Sequence, residues 1–205
     1  MSKVEKELGR LQELMPASGR MFCRLVHRPE QAVAIDAPLP LPWQQGSRNI
    51  FLNLDLWCQM PLAQRDLLLL RVVSWNLAVR WFKFDLYHGL VATGLVGTAV
   101  EFSQGDAVGV LVAGALTALT VTRIWRSHRG TAIELEADET ALQIAQRRGY
   151  QQPEAARHLL EAIESVAQLE RRSGLDFIEL LRCQNLKAIA GLSPVGVPEQ
   201  ARQDN

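Results

Sequence analysis

Glu134 and Asp138 stand four residues apart in the apolar-periodic stretch "TAIELEADETALQIAQRRGY", residues 131–150. A helical spacing of four puts both side chains on one face. Two carboxylates side by side on a half-buried face repel each other, and burial disfavours their charge. Such a pair needs either a cation (a metal ion or a basic side chain with forked donors) or a raised pKa. The histidines are His27, His88, His128 and His158, and no two of them have metal-ligand spacing. The cysteines, Cys23, Cys58 and Cys183, are far apart and form no CxxC pair. That spacing argues against a zinc knuckle or a disulfide framework and fits a reducing compartment. No Gly-x-Ser-x-Gly occurs, and "GLSPVGVP" lacks the Gly-Lys-Ser/Thr end of a phosphate loop. Neither metal, cofactor, small-molecule substrate nor enzymatic activity is expected.

The elements that must carry these residues are mostly helical. Val4, Leu8, Leu11 and Leu14 or Met15 recur at helical spacing, and "PASG" is read as the stop. Three runs rich in strand formers follow, "MFCRLVH" (21–27), "QAVAID" (31–36) and "RNIFLNLDLW" (48–57). The proline-rich "APLPLPWQQGS" between the last two must be a loop, and a small antiparallel sheet is expected. From Pro61 a helical pattern runs on without Gly or internal Pro to Asp85. Three further helices are expected over 134–148, 153–172 and 175–192, the last with Leu180, Leu181, Leu186 and Ile189 as its apolar face. The 205 residues carry 22 Lys+Arg and 22 Asp+Glu, so the chain is neutral and no nucleic-acid partner is expected. The N-terminus has no apolar run of the kind a cleavable secretory signal needs.

The middle of the chain sets the location. Leu86–Val100 has no Asp, Glu, Lys or Arg over fifteen residues, and Ala107–Thr122 has none over sixteen. As helices these are about 22–24 Å long, against roughly 30 Å of hydrocarbon. With Phe84, Asp85, Glu101 and Phe102 the first approaches a minimal span. Arg80, Trp81 and Lys83 precede the pair, and Arg123, Trp125 and Arg126 follow it, while Glu101 and Asp106 mark the turn. Basic and aromatic residues on one side fit a membrane hairpin with both ends cytoplasmic. The competing reading is a hairpin buried in a soluble core.

The stretch "IELEADETALQIAQRRGYQQPEAARHLLEAIESV" resembles HtpX-like membrane zinc metallopeptidases. The resemblance rests on Glu134, Ala137, Asp138, Gly149, Tyr150, Pro153, Glu154 and Ala155, and with the order of elements it covers roughly residues 45–170. It implies a metal-binding role for Glu134 and a bracing role for Asp138. Family members carry His-Glu-x-x-His on a preceding helix. Here that helix reads "RDLLLLRVVSWNLAVRW", Arg65 to Trp81, with no histidine and no glutamate. The resemblance therefore implies a degenerate site in which Arg71 falls on a former metal position. Arg71 either bridges Glu134 and Asp138 or reaches to the membrane surface while both acids face water. "LMPASGRM", "QGDAVGVLVAG" and "RCQNLKAIAGLSPVGVP" also resemble an uncharacterised family of cyanobacterial membrane proteins, which implies a thylakoid or plasma-membrane location.

Together these readings give a mainly α chain with a small antiparallel sheet near its N-terminus, on a degenerate HtpX-like scaffold. Its parts are an N-terminal helix (1–20), a sheet with the former zinc helix (21–84), a membrane hairpin (85–122), a helical domain (123–192) and a disordered tail (193–205). The expected function is a non-catalytic, membrane-anchored pseudopeptidase acting as scaffold or assembly factor, with the membrane and other membrane proteins as partners. The alternatives are an active hydrolase with an unrecognised site and a soluble helical interaction module.

Overall fold

The computed structural model describes residues 3–39, 46–79 and 131–196, together with Val96 and Ala115. The chain divides into two compact units, residues 1–79 with 131–205, and residues 80–130. The first unit holds α1 (Lys3–Leu14), α2 (Ala17–Phe22), β1 (Cys23–His27), β2 (Ile35–Asp36), β3 (Arg48–Leu52), α3 (Leu54–Trp57), α4 (Leu62–Ala78), α5 (Thr131–Gln146), α6 (Gln152–Leu169) and α7 (Phe177–Ile189). Apart from Val96 and Ala115, the hairpin expected over 85–122 lies outside the described residues. Among the described residues no helix is long and apolar enough to cross a membrane.

The sheet is mixed, not antiparallel. Its order is β1-β3-β2, with β1 parallel to β3 from Cys23↔Arg48 to His27↔Leu52 and β2 antiparallel to β3. β1 and β3 are not sequence neighbours. The chain after β2 must return to the end where β1 starts, so β3 sets off in the same direction as β1. "QAVAID" gives a strand of only two residues because its first half bonds through a side chain, Gln31 Nε2 donating to the Val33 and Phe51 carbonyls.

α1 ends at Leu14, directly before "PASG" as expected, but a further short helix, α2, opens there with Pro16 at its N-cap position. One expected strand end moves for a local reason. β3 ends at Leu52 because Asn53 caps α3, its Oδ1 accepting from the Asp55 and Leu56 N–H groups while its Nδ2 donates to the Pro29 and Gln31 carbonyls.

α4 is the central element. Leu68, Leu69, Val72 and Val73 pack with Leu11, Ile50 and Trp57 in one apolar cluster, and Leu67 and Leu70 pack with Leu142, Leu159 and Leu186 in another. A helix covered on both sides is apolar nearly all round, which explains the run "LLLL". α5 ends before Gly149, whose φ of +97° suits a residue without Cβ, and the Tyr150 N–H returns to the Ala145 carbonyl. α7 turns differently from the expected face. Leu186 is fully buried, but Leu180 is 55% exposed, and Arg182, Cys183 and Asn185 lie inside. Residues 193–196 lie against α7, where Gln184 Nε2 donates to the Val195 carbonyl.

Candidate functional site

Three helices converge on a buried quartet of charges. α4 supplies Arg71, α5 supplies Glu134 and Asp138 one turn apart, and α7 supplies Arg182. Arg71 Nη2 is paired with Glu134 Oε2, and its Nε lies 3.6 Å from Asp138 Oδ1. Arg182 grips Asp138 with both donors, Nε to Oδ2 at 2.8 Å and Nη2 to Oδ1 at 2.9 Å. The Asp138 side chain is fully buried, and those of Arg71 and Glu134 keep only 14% and 15% of their exposure. A fork-to-fork pair of this kind directs two charge-assisted hydrogen bonds at one carboxylate. Two guanidiniums meet two carboxylates, so the quartet is neutral as a whole.

The electrostatics follow from burial and proximity. Burial, and then the charge of Arg182, push the Arg71 guanidinium down to about 9, while Asp138 and Glu179 pull it up. It stays charged at neutral pH. Burial also opposes the charge on Arg182, but Asp138 outweighs it and the pKa rises.

A second set of charges continues from the quartet at the start of α7. Asp176 and Glu179 form a capping box, the Glu179 N–H donating to Asp176 Oδ1 at 2.7 Å and the Asp176 N–H to Glu179 Oε2 at 3.0 Å. Arg172 donates to both Glu179 oxygens at 2.9 Å, and its Nε lies 3.1 Å from Glu170 Oε2. Burial alone would raise Glu179, but these hydrogen bonds with the charges of Arg172 and Arg182 hold it below the usual carboxylate range. Glu170 goes the other way. Burial raises it in spite of the Ala34 N–H that donates to its Oε1 at 3.0 Å. A groove of about 360 Å³ passes over both sets, with Leu68, Val72, Ile163 and Val166 on its apolar side.

This geometry is suited to fastening, not to proton transfer. Both Asp138 oxygens are taken by Arg182, and Glu134 is held by Arg71. Among the described residues no group of three or more His, Cys, Asp or Glu side chains is placed to hold a metal ion. The cluster ties α4, the helix before residues 80–130, to α5, the helix after them.

The structure thus brings Arg71, Glu134 and Asp138 together. Arg80, Trp81, Lys83, Arg123, Trp125 and Arg126, expected at a membrane interface, lie outside the described residues. Sequence reasoning missed Arg182. The signal was available: Arg182, Leu186 and Ile189 recur at helical spacing, and only the habit of placing arginine outside hid it.

No solved structure matches the chain. A thylakoid membrane protein of Synechocystis sp. is 27% identical over 165 residues, covering 78% of this chain and 76% of the relative. The comparisons yield no peptidase, and another family accounts for most of the region on which the HtpX-like resemblance rested. That resemblance is overturned, and the degenerate scaffold and the reading of Arg71, Glu134 and Asp138 as vestiges of a metal site lose the ground they stood on. Glu134 and Asp138, one helical turn apart, meet two guanidiniums here. A family model described as "Protein of unknown function (DUF3318)" matches residues 9–150, a stretch that holds three of the four charges of the quartet. The chain belongs to the DUF3318 family.

Proposed function

We propose that this protein is a non-catalytic, membrane-anchored scaffold of a thylakoid or plasma membrane, with other membrane proteins as its partners and most of its chain on the cytoplasmic side. The observation that carries the reading is the kinship with a thylakoid membrane protein over about three quarters of both chains. Two features of the sequence support it. Leu86–Val100 and Ala107–Thr122 are free of charge, and Arg80, Trp81, Lys83, Arg123, Trp125 and Arg126 flank them on one side. The non-catalytic part of the reading draws on the quartet, whose acids are engaged by arginines and so are not poised to accept a proton.

Fractionation of cells tests the anchor. The chain is expected to stay with membranes through an alkaline carbonate wash and to leave them only with detergent. Full recovery in the supernatant without detergent would overturn the anchor and favour a soluble helical module. A thiol at Ser103→Cys, in the turn between the segments, is expected to react only from the non-cytoplasmic face.

A further inference from the structure

The exposed apolar corner at the end of α2 carries an observation independent of the two charge-free segments. Met21 is 72% exposed and Phe22 50% exposed, side by side in sequence. Arg20 and Arg24 beside them are exposed too, and residues 14–29 contain no acid. The position of this corner follows from the sheet. Cys23 stands opposite Arg48 in the β1–β3 ladder, and Arg48 Nη2 donates to the Val79 carbonyl at 3.0 Å. Val79 is where the first unit hands the chain to residues 80–130. The returning helix α5 starts at the same end, since Ile133 and Ala137 pack with Trp75 and Val79. Met21 and Phe22, next to Cys23 in the chain, therefore lie toward the end of this unit at which the chain leaves for the charge-free segments and comes back. Leu62, another exposed apolar residue, sits at the opposite end of α4, about 25 Å away along the helix axis.

We infer that Met21 and Phe22, flanked by Arg20 and Arg24, seat on an anionic lipid surface and form a second membrane contact of the folded unit. An aromatic ring and a flexible thioether suit the interface between headgroups and acyl chains, and the two guanidiniums complement anionic headgroups. The contact rests on the anchored reading above, because a chain held at the bilayer meets this corner at high effective concentration.

The test uses the full chain reconstituted in vesicles of phosphatidylcholine and phosphatidylglycerol. In a Cys58→Ser background, one environment-sensitive fluorophore is placed at Met21→Cys and, separately, at Leu62→Cys. The label at residue 21 is expected to be quenched by nitroxide-bearing lipids and shielded from iodide, and the label at residue 62 to behave in the opposite way. Adding Arg20→Glu with Arg24→Glu is expected to cut the lipid quenching at residue 21 by roughly half or more. A label at residue 21 open to iodide, in chains that still float with the vesicles, would overturn the lipid seat and leave the anchor standing. A label shielded from both quenchers would assign the corner to a second copy or another protein, and would overturn it equally. Chains that fail to float would take down the anchor and the seat together.

Discussion

Arg71 matters because of what it would leave behind. Asp138 keeps both bonds from Arg182 if Arg71 is lost, whereas Glu134 is left as a largely buried carboxylate without its guanidinium. Removing one member of a buried pair costs more than the pair contributes, since desolvation of the survivor is no longer offset. Arg71→Leu is therefore expected to lower stability by about 3–5 kcal/mol in urea unfolding. Glu134→Gln in the same chain is expected to recover part of that loss, because a neutral amide is cheaper to bury than a charge. Additive losses in the double variant would show that the two side chains do not act as a pair. The quartet also explains how charge can sit in the middle of "LLLLRVVSW": the arginine is largely covered because carboxylates on α5 meet it there.

At the scale of elements, α2 comes close against α4 at Gly19. A Cβ at Gly19 would come within 2.7 Å of Val73 Cγ1, whereas one at Gly9, in the middle of α1, would meet nothing within 4 Å. Gly19→Ala is expected to cost about 1–3 kcal/mol through overpacking. Gly9→Ala is expected to add about 0.5–1 kcal/mol, since alanine is the better helix former and no neighbour objects. Thermal unfolding of the two variants reads the contrast, and equal effects would contradict the packing. The same junction shows what the sequence could and could not disclose. Helical periodicity marked α1, α5, α6 and α7 to within a few residues, because each buries a stripe that repeats every turn. It also marked the start of α4, which ends at Ala78 and does not run on to Asp85 as expected. "PASG" does stop α1, because proline and glycine weaken helices in general, but the short α2 behind it was not legible. Pro16 stands at its N-cap position, and Gly19 lets it approach α4. Strand order was illegible for a different reason, since the pairing of β1 with β3 depends on where a distant loop returns the chain. Asp138 was visible in the sequence as needing a cation, but its main partner lies 44 residues away on a helix whose inward face was misjudged.

At the scale of the molecule, one unit is interrupted by residues 80–130 and yet closed on both sides of the interruption. Arg71 and Glu134 join α4 to α5, Leu70 packs in one cluster with Ala141 and Leu142, and Trp75 and Val79 meet Ile133 and Ala137 at the very end. The two chain ends are thus held by contacts that belong to the first unit alone. Closing them with a short linker should cost little, because loop-closure entropy changes slowly with loop length and favours the shorter loop. A chain in which a short Gly/Ser linker replaces residues 80–130 is therefore expected to keep its helical circular dichroism and to unfold in one cooperative transition. If the anchored reading holds, it should also remain in the supernatant without detergent, while the full chain does not. These two readouts separate the questions. Loss of cooperative unfolding would mean that residues 80–130 supply part of the core that holds α4 against α5. A folded variant that still partitions with vesicles of phosphatidylcholine and phosphatidylglycerol would place a membrane contact within the remaining unit, and the end carrying Met21 and Phe22 is where such a contact belongs.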